Sequence, residues 1–296
     1  MPKIIEHQIP TPKAGPYILA LGPDGNIWFC ESTADKIGRL SPQDGSFTEY
    51  KIPTPNCRPI GIIAGPDGNM WFTEYTGHKI GKITMGGEIT EFTLPTPNAG
   101  PNGIILGPDD NLWFSEHDAG KIAKITPAGV VTEYRDGLSA DSKPLALSVA
   151  GEDLWFSDAG AHRIGKITLN GNVSEFSTVS PNSGPRSLIT GPDGNIWFVE
   201  SSVSAIGRVT MKGEVSEFKL RHPNASPRGV VSANGDLWFT QNFINSIGRM
   251  TLDGKMLEEY ELPTANSGPR AALAIPGGRI FFSEHDIGKI GELILS

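Results

Sequence analysis

Short apolar runs alternate with polar turns along this chain, and the alternation repeats. A Trp-Phe step recurs as Trp28-Phe29, Trp71-Phe72, Trp113-Phe114, Trp155-Phe156, Trp197-Phe198 and Trp238-Phe239, and closes as Phe281-Phe282. Successive intervals are 43, 42, 42, 42, 41 and 43 residues. A proline keeps the same rhythm at Pro16, Pro59, Pro101, Pro144, Pro185, Pro227 and Pro269. Seven copies of a unit of about 42 residues fill the chain, and such a period implies a propeller, a solenoid or an array.

The contents of one unit choose among these. In the second, Pro59-Ile60-Gly61-Ile62-Ile63 precedes the turn Gly65-Pro66-Asp67-Gly68-Asn69. Met70-Trp71-Phe72-Thr73-Glu74 follows, then Lys79-Ile80-Gly81-Lys82-Ile83-Thr84, a Gly86-Gly87 turn, and Glu88-Ile89-Thr90-Glu91-Phe92-Thr93. Gly tolerates the positive φ of tight hairpins, so both turns read as hairpin signals. Four short strands per unit predict an all-β, seven-bladed β-propeller with four-stranded antiparallel blades. Side chains alternate across a sheet, so Trp should pack on one neighbouring blade and Phe on the other. The seventh unit stops at its third strand, Lys289 to Leu295, and its missing strand matches Ile4-Ile5-Glu6-His7-Gln8-Ile9-Pro10. The N-terminal strand, about 3–10, is thus expected to complete the last blade and remove a free edge. One propeller domain over 1–296 is the expected organisation.

Composition narrows the function classes. The 296 residues include 36 Gly and 24 Pro, a turn density that rules out a helix bundle. Net charge is −8 with Lys and Arg scattered, which argues against a nucleic-acid surface. No window approaches 18 apolar residues, and the N-terminus has no signal-peptide core, so no membrane association is expected. Cys30 and Cys57 are too few for a disulfide framework, which fits a reduced, cytoplasmic, monomeric protein.

The dense repeat Gly-Pro-x-x-Ile…Gly-Pro-Asp-Gly-x-Ile-Trp-Phe-Thr-Glu…Lys-Ile-Gly-Arg-Ile-Thr…Gly-x-Ile-Thr-Glu-Phe…Leu-Pro-Thr-Pro resembles the streptogramin B (virginiamycin B) lyases over the whole chain. The resemblance implies a seven-bladed propeller. In true lyases it also implies magnesium-assisted opening of a cyclic depsipeptide antibiotic by elimination, a carbon–oxygen lyase reaction. Those lyases carry Pro-His in the sixth repeat and Glu-Pro-His in the seventh, for substrate, metal and base. This chain reads Ser226-Pro227-Arg228 and Gly268-Pro269-Arg270. Arg228 therefore replaces the substrate His, Gly268 the metal carboxylate and Arg270 the base. The family's second metal Glu falls on His285, with Glu284 beside it. Arg stays protonated at physiological pH and cannot act as a general base.

The residue after each repeated proline is expected at the channel mouth: Tyr17, Ile60, Asn102, Leu145, Arg186, Arg228 and Arg270. Three arginines on consecutive blades suggest an anion clamp, with Tyr17 and Asn102 beside them. The second strands end in another ring, Glu31, Glu74, Glu116, Asp158, Glu200, Gln241 and Glu284. Arg186–Glu200 and Arg270–Glu284 ion pairs at the mouth are the competing expectation, and would leave Arg228 alone without an acid. Glu284 and His285 are the candidate metal ligands, and with Tyr17 the candidate catalytic groups. Ser115-Glu116-His117-Asp118 and Ser283-Glu284-His285-Asp286 repeat one another on blades 3 and 7. His7, His78, His162 and His222 read as surface residues.

Three functions stay open at this point. One is a lyase-like propeller that binds a small polar or anionic ligand in its funnel and lacks lyase chemistry. Another is an active magnesium-dependent lyase or lactone-opening enzyme built on Glu284, His285 and Tyr17. The last is a scaffold whose rim loops bind a protein.

Overall fold

A computed structural model describes residues 2–295. Its strands form seven four-stranded sheets, six of them simple meanders in chain order, and no helix occurs among the described residues. Blade 1 runs from the inner strand Pro16–Leu21 through Ile27–Glu31 and Lys36–Leu40 to the outer strand Phe47–Lys51. Blade 7 takes Pro269–Ile275, Arg279–Glu284 and Lys289–Ile294 from the C-terminal end and Lys3–Gln8 from the N-terminal end. The two ends pair antiparallel from Lys3 opposite Ile294 to Gln8 opposite Lys289, so the ring closes as the spacing predicts.

The repeated turn does more than reverse the chain. In blade 1 the Asp24 carboxylate accepts from the Asn26 backbone N–H at 3.1 Å and from the Trp28 indole at 3.0 Å. The same bond ties Asp67 to Trp71, Asp109 to Trp113 and Asp193 to Trp197. A buried indole N–H needs an acceptor, and the turn supplies it. Trp28 then stacks on Tyr50 at 5.6 Å within its blade.

Blades bind one another through the two aromatic faces. Trp28 packs with Phe72 of blade 2, while Phe29 packs with Phe281 of blade 7. Trp238 meets Phe282 in the same way between blades 6 and 7. Each pair removes large apolar rings from water, which is the main stabilising contribution of the ring. Gly38 sits opposite Phe29 on the third strand, where a Cβ would run into the Phe29 ring. The equivalent positions are glycine in every blade except the third, which has Ala123.

Candidate functional site: the central funnel

Every inner strand breaks register just after its proline. Pro185 lies opposite Glu200, yet Leu188 lies opposite Phe198, so Arg186 and Ser187 together face Val199. Such a bulge re-aims side chains next to a cavity. In six blades the residue after the proline, namely Tyr17, Asn102, Leu145, Arg186, Arg228 or Arg270, lines one cavity of about 330 Å³, whereas Ile60, also expected at the mouth, is buried and does not line it. The rim expectation for the six lining residues and the arrangement agree.

A hydroxyl on the second strand braces the bulge in five of the seven blades, Cys30 taking its place in blade 1 and Val199 in blade 5. Thr240 Oγ1 accepts from Gly229 N–H at 2.9 Å and donates to the Arg270 carbonyl of the next blade at 2.6 Å. Thr73 does the same between Gly61 and Asn102, and Ser157 between Ala146 and Arg186. Blade 5 has Val199 at this position, so the Arg228 carbonyl lacks that support.

The three arginines differ in their company. Arg270 stacks over the Tyr17 ring at 5.3 Å and approaches Asp286 Oδ1 at 3.7 Å. Among the described residues neither Arg186 nor Arg228 has a carboxylate within ion-pair distance. Burial pushes the Arg228 guanidinium down to about 10, reinforced by Arg186 and Arg270 and opposed by Tyr17 and Asp286. Arg186 is lowered by burial and by Arg270, against Tyr17. Both guanidiniums are half-buried in the cavity wall without a salt bridge among the described residues.

The expected mouth ion pairs do not form, because the acidic ring is elsewhere. Glu31, Glu74, Glu116, Asp158, Glu200, Gln241 and Glu284 are buried inside the blades. Glu74 faces Glu91, which is itself held by Lys79 at 3.0 Å and by Thr54 N–H at 3.1 Å. Burial pushes Glu74 up to about 8, with the Glu91 charge adding to it. Glu31, Glu116 and Glu200 are also pushed to about 8, and Glu284 to about 7, with burial the main cause throughout. Neither Glu200 nor Glu284 faces an arginine; Glu284 sits against Ser267 and Glu6.

His285 does stand at the mouth. Its Nδ1 meets Asp286 Oδ1 at 2.8 Å, its Nε2 lies 3.4 Å from Ser32 Oγ, and its ring meets Tyr17 edge-on at 5.9 Å. Burial lowers its pKa, and Arg270 and Arg58 add to this against the Asp286 bond. Ser32 Oγ donates to the Gly15 carbonyl at 2.8 Å, so its proton is already committed. His117 on blade 3 turns its Nδ1 to the Pro144 carbonyl at 3.3 Å. Of the four histidines expected at the surface, His222 is half exposed, but His7 pairs with Glu292 at 3.0 Å. His78 and His162 accept from Gly100 and Gly184 N–H, which pins the loops entering the next blade.

Two further mouth residues escaped the sequence pattern. Arg58 stacks over Tyr75 at 5.0 Å, and the Tyr75 hydroxyl donates to Asp118 at 2.8 Å. Arg58 precedes the repeated proline, where four other blades have Gly, so that departure was the available signal.

A magnesium ion prefers carboxylate oxygens in octahedral array. The funnel's donors do not fit one. Gly268 offers no side chain, and a Cβ there would strike the Asp286 carboxylate. Glu284 is buried in its blade, leaving Asp286 and His285 bonded to each other beside Arg270.

Fold and site together define a closed seven-bladed β-propeller with a cationic funnel at its axis. The chain belongs to the virginiamycin B lyase family, whose model matches residues 2–150 and again 137–296. A selenomethionine-substituted virginiamycin B lyase from Staphylococcus aureus is 36% identical, with a TM-score of 0.94 and all of both chains covered. A structure described as a streptogramin B lyase is 34% identical, with a TM-score of 0.93, covering 100% of this chain and 98% of that one. A catalytically inactive His-to-Ala variant of the Staphylococcus aureus enzyme, with quinupristin, is 35% identical at a TM-score of 0.94, with both chains fully covered. No curated protein matches the chain.

Proposed function

We propose that the funnel binds a small anionic ligand through Arg186, Arg228 and Arg270, with Tyr17 and Asn102 shaping the mouth, and that the protein lacks streptogramin B lyase activity. The observation that carries this reading is the pair Arg186 and Arg228, which line one cavity with no carboxylate of the described residues within ion-pair distance of either. Guanidinium forks in such a setting favour a carboxylate or phosphate. Against lyase chemistry stand Gly268, which has no metal-binding side chain, and Arg270, which stays protonated where a base is needed. The inactivity of the relative's His-to-Ala variant supports the weight given to that missing histidine.

Calorimetry with small carboxylates and inorganic phosphate tests the binding reading, with Arg228→Ala as the control. Binding that weakens at least tenfold in the variant is expected; unchanged affinity would overturn it. Turnover of a streptogramin B substrate that requires magnesium and stops with EDTA would overturn the inactive reading. One observation favours base chemistry instead: His285, oriented by Asp286, is held neutral beside the arginines. That reading expects turnover which His285→Ala abolishes.

A further inference from the structure

The funnel below the arginines changes character. The inner strands descend from the mouth, and because the bulge sets two residues against one, the third residue below Arg186 and Arg228 lies about two strand steps, roughly 7 Å, deeper. At that depth the same cavity is lined by Ile63, Ile105, Ile189 and Val231. Between the two levels is a belt of small residues, including Gly61, Gly103, Ala146 and Gly229. These are small because the blades nearly touch there; a Cβ on Gly103 would press into the Leu145 carbonyl, and one on Gly229 into that of Arg270. The belt lets neighbouring blades close tightly around the passage between the charged rim and the apolar throat.

We infer that the ligand is an amphiphilic anion, an acidic head with an unbranched hydrocarbon tail, its head on Arg186 and Arg228 and its tail in the throat. This rests on the anion-binding reading and deepens it. Arg270 is engaged by Asp286 and Tyr17, so Arg186 and Arg228 are the forks left for the head. A small hydrophilic anion would satisfy the rim yet leave the isoleucine-lined throat facing water. A neutral apolar ligand would fill the throat and leave two guanidiniums uncompensated. Only a molecule with both parts answers both levels of the cavity.

The test is calorimetry with acetate, butyrate, hexanoate and octanoate, with octyl phosphate and octanol alongside. Affinity is expected to rise along the carboxylate series by up to about fourfold per methylene placed in the throat. Octanoate against octyl phosphate then ranks the two heads, and octanol should bind at least tenfold more weakly than the better of them. In Ile189→Gln the chain-length gradient should flatten while dependence on Arg228 persists; Ile105→Gln serves if that variant does not fold. A flat series that still needs Arg228 overturns the amphiphile and leaves the anion site standing. Octanol binding as tightly as the acids overturns the head assignment. No binding by any acid overturns both readings.

Discussion

Gln241 donates a hydrogen bond to Glu259 at 3.1 Å in blade 6, where the equivalent positions of five other blades set one glutamate against another. A buried carboxyl can donate to its neighbour only while it keeps its proton, and Gln is the permanently neutral copy of that state. Blade 6 also lacks the lysine that supports the outer glutamate in blades such as the second, carrying Ser246 instead, and Gln241 donates to that hydroxyl as well.

Stability should therefore depend on pH from both sides. Glu31, Glu74, Glu116 and Glu200 have folded values near 8, above the ordinary 4.5, so their contribution is whole below that ordinary value and fades as pH rises through 8. Their partners Glu49, Glu91, Glu133 and Glu217 are lowered, by hydrogen bonds and cations acting against burial, so their contribution fades as pH falls below about 4.5. Melting temperature measured from pH 3.5 to pH 9 should peak at about pH 4.5–5 and fall on both sides. Glu74→Gln should change little near pH 4.5 and gain about 1–3 kcal/mol over the parent by pH 9. A variant that is equally destabilised at both pH values would show that the carboxyl is not protonated.

The hydroxyl braces give a second prediction. Thr240→Val strips partners from Gly229 N–H and the Arg270 carbonyl, and should cost about 1–3 kcal/mol in denaturant unfolding. Val199→Thr, its converse in blade 5, should stabilise by about 1 kcal/mol by giving the Arg228 carbonyl a donor. Loss of stability in the second variant would mean that the blade 5 joint is too tight for a hydroxyl.

Rebuilding the lyase residues should fail for a local reason. Ser226 and Arg58 carry side chains at positive φ before their prolines, so backbone conformation alone does not forbid one at position 268. The obstacle is Asp286, which occupies the space a Cβ would need. Gly268→Glu should lower the melting temperature, and Gly268→Glu with Asp286→Gly should recover most of the loss. If the single variant melts like the parent, Asp286 moves freely and the obstacle is not real.

Asp286 is also the acid nearest the three arginines, bonded to His285 and within 3.7 Å of Arg270. Asp286→Asn should tighten anion binding by about threefold to tenfold at low salt, with the gain shrinking as salt screens it. Weaker binding in this variant would mean that Asp286 positions Arg270 more than it competes for it.

The blades, their number and their closure were legible because turn chemistry and a period of two residues are local properties of the chain. Pro66-Asp67-Gly68-Asn69 announces its hairpin, and Trp71-Phe72 announces its two buried faces, without knowledge of any distant residue. The mouth arginines were legible for the same reason, being tied to a proline that recurs. The acidic ring was not. Glu74 is buried facing Glu91 of the outer strand, and no pattern within one strand carries that. Asp286 was likewise hidden: it follows the second strand of the hairpin that Arg270 begins, and no pattern along either strand says that the two side chains turn toward one another.

The pairing of Lys3–Gln8 with Lys289–Ile294 also sets an order of events in the making of the molecule. As the polypeptide leaves the ribosome, Ile4 and Ile5 emerge long before their hydrogen-bonding partners Leu293 and Glu292. Blades 1 to 6 are each complete within a contiguous stretch and can assemble as they appear, while the Lys3–Gln8 segment must stay unpaired until the strand Lys289–Ile294 has been made. The final joint is thus the slowest to form in terms of chain separation, and the funnel acquires its full wall, with Arg270 beside Arg228, only when it does.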